Sequence, residues 1–178
     1  MALACGLRLS PQVAVSGARE FNRYLTRKIV QPAPDLTMPK QHLTPPDLFP
    51  STQYGFSQIV SATSGRLIFL SGQVAWDAQQ NLIGRNDLKT QTQQAFRNVE
   101  KAFSAAGARL TDLVALRLYI VNYEASRDAP TITEVLKAVF GESQPPACTW
   151  IGVSSLANAE FLIEIEATAV VEAEAGAV

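Results

Sequence analysis

The chain has few of the residues that build disulfides, zinc sites and histidine-dependent active sites. Its 178 residues include two cysteines, Cys5 and Cys148, and one histidine, His42. The cysteines lie far apart and only Cys148 falls in a regularly patterned region, which argues against a structural disulfide and favours a reducing compartment. With a single histidine, in a proline-rich stretch, we expect neither a histidine-based catalytic triad nor a zinc site.

Excess positive charge and long apolar runs are also missing. Fifteen Lys and Arg residues against 16 Asp and Glu give a formal net charge of −1. Without a basic surplus to collect phosphates, we expect no nucleic-acid partner. No apolar run approaches the roughly 20 residues that span a bilayer, so we expect no membrane partner. The chain does have 47% hydrophobic residues, enough for the core of one compact domain.

The first 37 residues differ from the rest because they are basic and poor in acids. Three interpretations stay open: a mitochondrial-type presequence, a tail without regular structure, or an over-extended start with Met38 as the true first residue. We expect a cytoplasmic protein, or a mitochondrial one if the presequence is real. Our predicted division is an N-terminal extension with a proline-rich arm (1–53), a domain (54–171) and a tail (172–178).

The patterned region predicts an α+β domain of order β-β-α-β-α-β-β, with both helices on one face of a mixed sheet. A turn at 63–66 is expected to join the first two strands as a hairpin. Asp87 and Gly107 mark the ends of the first helix, and Asp128 is expected to open the second. The predicted strands are Gly55–Ala62, Leu67–Leu70, Leu113–Val121, Ala147–Val153 and Phe161–Val171.

Charged residues on two strands are the first candidates for chemistry. Glu164 and Glu166 are two apart in a strand and therefore share a face. Paired carboxylates can divide acid and base work, and the alternative is a solvated or ion-paired strand face. Arg117 is the one charge in an otherwise apolar strand, so we expect it to be buried with a glutamate of the last strand as its partner. That pair would be structural, for example at a subunit interface, or Arg117 would clamp a substrate.

The stretch Ser71-Gly72-Gln73 closes the second strand. Glycine lets a backbone approach closely, and neighbouring N–H groups can bind a carboxylate or a developing oxyanion. Ser71 is not expected to be a nucleophile, because no histidine is near enough in sequence to activate it. Trp76, Trp150 and Phe56 are expected to be packing residues, one or two of which line an apolar pocket.

Several stretches together resemble the RidA/YjgF family, also called the Rid or L-PSP family. They occur in the family's order and spacing, over about residues 54 to 171, and they are FSQIV (56–60), LIFLSGQV (67–74), TQQAFRNVEKAFSAAGARLTDLV (92–114), PPA (145–147) and IEIEATAVV (163–171). The resemblance implies a chorismate-mutase-like fold and a homotrimer whose sheets line a central barrel, with three small-molecule clefts between subunits. The family's namesake deaminases convert 2-aminoacrylate and its imine tautomer to a 2-keto acid and ammonia with no metal or organic cofactor, so the resemblance implies a cofactor-free protein related to these enzymes, although not a standard 2-aminoacrylate deaminase.

The resemblance assigns roles residue by residue. Glu164 matches the catalytic carboxylate that positions or activates water, and Ser71 matches the serine of the SGQ strand. Phe56 stands where the deaminases have a tyrosine, and Thr133 stands where they have an asparagine. The deaminases also have an arginine directly after Pro-Ala, whose fork holds the substrate carboxylate, and this chain has Cys148 there.

The replacement at Cys148 favours a ligand that is less anionic, larger or more aromatic than 2-aminoacrylate, bound with Gly72, Arg117 and Trp150. We expect the Cys148 side chain to point away from the core and to form a small, polarisable part of the pocket wall. A nucleophilic role is not expected, because no adjacent His or Lys lowers its pKa. The predicted function is a deaminase-like hydrolase or a tautomerase acting on an imine, enamine or enol. The alternatives are a non-catalytic trimer that binds a ligand or partner, and a ribonuclease, against which the neutral charge and the remote histidine argue.

Overall fold

The computed structural model describes residues 40–43, 45–141 and 144–172. Its main feature is a four-stranded mixed sheet in which β3 (Arg66–Gln73), β6 (Ile163–Val171), β4 (Leu113–Val121) and β5 (Ala147–Val153) lie side by side in that order. The pair β4 and β5 is parallel and the other two pairs are antiparallel. Two helices, α1 (Leu88–Ala105) and α2 (Ala125–Phe140), pack on one face. The predicted α+β class is confirmed.

The core lies between the sheet and the helices, and strand alternation places it there. On β6, Ile163, Ile165, Ala167 and Ala169 are all buried, while the residues between them are half-buried. On β4, Leu116, Leu118 and Ile120 face the same way and are buried. Fully burying one such large side chain stabilises the fold by about 1.5–3 kcal/mol. The two-residue periodicity therefore fixes which face of each strand meets the helices.

The ends of α1 follow the predicted signals. Asp87 accepts hydrogen bonds from the Thr90 backbone N–H at 3.1 Å and from the Thr90 hydroxyl at 2.6 Å. Gly107 has φ +68°, the left-handed conformation that stops a helix without strain at glycine.

The start of α2 differs from the prediction. The helix begins at Ala125, three residues before Asp128. Asp128 instead lies in the first turn, buried, where it accepts a hydrogen bond from the Glu124 backbone N–H at 2.8 Å. The carboxylate thus satisfies the N–H of the residue before the helix, and the Arg127 guanidinium also donates hydrogen bonds to it.

The predicted hairpin is wrong in its pairing, although its turn is right, since Gly65 has φ +130°. The strand before the turn, β2 (Ile59–Ala62), pairs with β1 (Lys40–Leu43) in a separate antiparallel ladder, and β3 pairs with β6. The segment at 40–43, which contains no proline, is therefore an extended strand of the arm. It is the partner of β2, a role that the predicted hairpin had assigned to the strand after the turn. The arm then makes a short 3-10 turn at Ser51–Tyr54.

Within the described residues, no helix combines the length and the apolarity needed to cross a bilayer. The interpretations of residues 1–37 fall outside the described part of the chain.

Candidate functional site

The Ser71-Gly72 stretch forms a β-bulge against β6. Leu70 pairs with Ala167 and Gln73 pairs with Ile165, so two residues of β3 lie opposite the one residue between them on β6. A Cβ atom built on Gly72 would collide with the Glu164 side chain, whose Oε1, Cδ and Cγ are the nearest atoms. The glycine therefore makes room for the Glu164 carboxylate. Gln73 holds the bulge, because its side-chain amide donates to the Ser71 carbonyl at 3.1 Å and the Gly72 carbonyl at 3.3 Å.

The two glutamates of β6 differ in their partners. Glu166 accepts a hydrogen bond from the Tyr119 hydroxyl at 2.8 Å and lies 3.6 Å from the Arg117 guanidinium. The hydrogen bond to Glu166 raises the pKa of Tyr119, since the phenol proton is shared with a carboxylate. Glu164 lies opposite Tyr119 in the ladder, but its carboxylate makes no hydrogen bond or ion pair with any described residue. Glu166 is thus held in a structural cluster, whereas Glu164 is available to a ligand.

Arg117 has the expected partner but not the expected burial. Its ion pair is with Glu166, a glutamate of the last strand. Its side chain is 58% exposed, because the described residues do not cover the sheet face opposite the helices. An exposed pair of this kind contributes at most about 1 kcal/mol.

The Cys148 side chain points toward the core and not away from it, contrary to the prediction. It lies beside Leu116 in the parallel ladder of β4 and β5, and it faces the helices as Leu116 does. Burial raises the pKa of the thiol to about 12, and the nearby Trp150 indole opposes that shift only in part. At neutral pH the side chain is an uncharged thiol, which favours a packing or pocket-wall role over a nucleophilic one.

The neighbours of Cys148 are aromatic. Trp150, two residues on and on the same side of β5, packs edge-on against Tyr123 with ring centroids 6.4 Å apart. The Trp150 indole N–H is buried and makes no hydrogen bond of normal geometry with the described residues. Phe56 also lies near the start of β5, because the Ser57 N–H donates to the Pro146 carbonyl at 3.0 Å and Ser57 bridges to Ala147.

The structure therefore sorts the predicted site residues into two groups. Ser71, Gly72, Arg117 and Glu164 belong to the sheet face opposite the helices, whereas Cys148 and Trp150 line the helix side of the edge strand β5, with Phe56 close by. A single copy of the described residues does not bring the two groups into one pocket. Trp76 belongs to neither group, because it packs on Phe161 with centroids 4.8 Å apart, as expected of a packing residue.

Sequence reasoning missed a histidine–serine contact. His42 Nδ1 lies 3.0 Å from the Pro145 carbonyl and 3.2 Å from Ser57 Oγ, and the Ser57 hydroxyl donates to the same carbonyl. A carbonyl oxygen only accepts, so Nδ1 must carry a proton and cannot serve as a base for Ser57. The bond from His42 to Pro145 spans 103 positions of sequence, and nothing local to His42 signals it. It anchors the arm to the start of β5.

Comparison with known proteins places this arrangement in a family. The family model described as Endoribonuclease L-PSP matches residues 48–171. A 2-iminobutanoate/2-iminopropanoate deaminase from Dermatophagoides farinae is 33% identical over 134 residues, which cover 75% of this chain and 98% of that protein. A RutC family protein from Pyrococcus horikoshii is 35% identical over 114 residues, which cover 64% of this chain and 85% of the relative.

Solved structures agree. A Rid-family protein of unknown function from Yersinia pestis is 40% identical and superposes with a TM-score of 0.72, covering 75% of this chain and 100% of the other. The family model spans both the Gly72–Glu164 contact and the start of β5. The chain therefore belongs to the RidA/YjgF family, whose model is the one described as Endoribonuclease L-PSP.

Proposed function

We propose that this protein is a Rid-type hydrolase that acts on an imine or enamine in clefts between the subunits of a homotrimer. The observation that carries the proposal is the difference between the two glutamates of β6. Glu166 is occupied by Tyr119 and Arg117, while the Glu164 carboxylate lies in a bulge beside Gly72 without a protein partner among the described residues. An unpaired carboxylate is suited to accept and return a proton.

Glu164 supports a balanced hydrolysis. A water molecule adds to the carbon of the C=N bond, and the Glu164 carboxylate accepts one of its protons. Glu164 returns that proton to the nitrogen, which gives a carbinolamine. The carbinolamine hydroxyl then gives up its proton, which Glu164 passes to the nitrogen, and the C–N bond breaks so that ammonia leaves as the C=O bond forms. With an enol in place of the imine, the same carboxylate would move a proton from oxygen to carbon, which is the tautomerase form of the proposal.

The placement of the predicted site residues supports an inter-subunit cleft. Glu164 and Cys148 lie on opposite faces of one sheet, so a cleft that uses both must take one from each of two copies. On the Glu164 face, Leu67 is 52% exposed and Phe69 is 76% exposed. Two large, exposed apolar side chains next to each other on one strand face favour a partner that covers them. A second copy that covers this face would bring the Cys148 edge toward Glu164.

The thiol at Cys148 bears on the substrate. The family's deaminases would place an arginine there, and a single charge-assisted hydrogen bond of the kind it makes contributes about 1.5–3 kcal/mol. This chain instead offers an uncharged thiol beside Trp150. The relative from Dermatophagoides farinae is named for small imino acids. We infer a substrate that is less anionic, larger or more aromatic than those.

The test is a coupled assay in which an amino-acid oxidase generates imines in situ from small and aromatic amino acids while imine loss is followed. We expect wild type to accelerate hydrolysis of the bulky imines, and Glu164→Gln to lower the rate at least about a hundredfold, the usual size of a general-base contribution. Glu100→Gln, an exposed change on α1, is the matched control and should retain the wild-type rate. A Glu164→Gln enzyme with wild-type activity would overturn the assignment.

A non-catalytic trimer that binds a ligand or partner is the second candidate, and the replacement of the arginine by Cys148 specifically favours it. Cys148→Arg separates the two. If wild type is inert on every imine and Cys148→Arg gains activity on small ones, the scaffold is competent and the native role is binding.

A further inference from the structure

A small cavity lies where the arm meets the ends of both helices. Its volume is about 150 Å³. It is bounded by His42 of β1, Leu110 and Thr111 of the 3-10 turn after α1, Val139 and Phe140 at the end of α2, and Gln144. None of the residues of the proposed catalytic cleft lines it. The three apolar residues pack against the main core, so they are held in place by the fold itself.

The protonation of His42 follows from its contacts. Nδ1 donates to the Pro145 carbonyl, which fixes the proton on that nitrogen. Burial lowers the pKa of His42, and the charge of Lys40 lowers it further, against the effect of the bond to Pro145. The ring is therefore neutral at pH 7, and its second nitrogen, Nε2, carries a lone pair and no proton.

Nε2 is left without a hydrogen-bond donor. It is buried, and among the described residues it has no hydrogen-bond partner. Buried polar atoms in native proteins are nearly always paired, and an exception calls for a ligand or a water molecule. A space of this size can hold one benzene-sized ring, and three of its six lining residues are apolar.

We propose that this cavity is a binding site for a small uncharged molecule, of about the size of one aromatic ring, whose hydroxyl or N–H group donates to His42 Nε2. Leu110, Val139 and Phe140 would contact the apolar body of the ligand, and the imidazole would select for a donor. A cation is not favoured, since Lys40 lies close to His42, and an anion is not favoured, because the neutral Nε2 can only accept.

The experiment uses the full-length protein labelled with ¹⁵N at histidine. Because His42 is the one histidine of the chain, its two ring nitrogens give unambiguous NMR signals. In the free protein we expect Nδ1 to show the protonated shift and Nε2 the unprotonated one. Phenol should move the Nε2 signal saturably at millimolar concentration, and toluene, which has no donor, should leave that signal in place.

Val139→Phe is the matched variant, because it fills the cavity from α2 and leaves the His42 bonds to Pro145 and Ser57 intact. It should weaken the phenol response at least about tenfold. Val139→Ile replaces it if the larger ring prevents folding, with a smaller loss of about threefold. The proposal is overturned by a proton on Nε2 in the free protein, by a phenol shift that does not saturate, or by an unchanged phenol affinity in a folded Val139 variant.

Discussion

The Glu164 carboxylate occupies the space that a side chain on residue 72 would fill. The three atoms nearest to a Cβ built on Gly72 all belong to Glu164. The β-bulge brings the two residues together, since the shift in register between Leu70 and Gln73 turns the Gly72 backbone toward the neighbouring strand. The Glu164 side chain thus explains why residue 72 is a glycine. The position of the candidate catalytic carboxylate depends on the absence of a Cβ at that residue.

This contact predicts a measurable coupling between the two positions. Gly72→Ala should lower the free energy of unfolding by about 1–3 kcal/mol, the usual cost of overpacking a filled space. In a Glu164→Ala background the same change should cost at least about 1 kcal/mol less, because the colliding carboxylate is gone. Urea unfolding of the four proteins at one protein concentration gives the coupling. Additive effects would mean that the carboxylate lies elsewhere in solution.

The exposed sheet face opposite the helices is the surface through which we expect the subunits to associate. If the proposed homotrimer forms through this face, Phe69→Lys, which places a charge on its most exposed large apolar side chain, should give monomers by light scattering at micromolar concentration. Ser104→Lys adds the same charge on an exposed position of α1 and should leave the trimer intact. A wild-type protein that is already monomeric would contradict the inter-subunit cleft.

Local patterns were enough to predict most of the fold. The two-residue alternation along β4 and β6 separates an apolar face from a mixed one, and Asp87 and Gly107 mark the ends of α1, because these signals act over a few residues. Local patterns did not predict which strands pair. Nothing in the residues near β2 shows that its partner is β1 on the N-terminal side and not β3 across the turn.

The candidate site was predictable in its residues but not in its geometry. The family motifs identify Glu164 and Cys148, yet the direction of the Cys148 side chain depends on its register with Leu116, which the sequence does not encode locally. Arg117 was expected to be buried because its strand is apolar, and it is exposed because the described residues leave that sheet face uncovered. Glu164 and Glu166 look alike in sequence, and only Tyr119 and Arg117 distinguish them.

A buried glutamine on α1 predicts a large stability effect away from the site. Gln91 is fully buried; its amide donates to the Glu160 carbonyl at 2.9 Å and the Gly84 carbonyl at 3.2 Å, and it accepts from the Leu162 N–H at 2.8 Å. Gln91→Ala strands these groups and should lower the free energy of unfolding by about 2–4 kcal/mol. Glu100→Ala, on the exposed side of the same helix, should change it by less than about 0.5 kcal/mol. Equal effects in urea unfolding would contradict the network.

The thiol of Cys148 predicts slow alkylation. In a Cys5→Ser background, Cys148 is the one remaining cysteine, so modification by iodoacetamide reports on it alone. A pKa of about 12, against the ordinary 9.0, lowers the thiolate fraction at pH 8 by about a thousandfold, and the rate should fall in proportion. Fast modification of the folded protein would revive a nucleophilic role for Cys148.

The same shift has a consequence for stability at high pH. Because burial raises the pKa of the folded thiol above that of the unfolded one, the native state holds the proton between pH 9 and about 12, while the unfolded state loses it. Stability is therefore complete below pH 9 and falls as the pH rises through this window. Cys148→Ala in the Cys5→Ser background cannot titrate there, so its unfolding free energy should decline less steeply than that of the Cys5→Ser protein. Parallel profiles for the two proteins would show that the thiol is solvated.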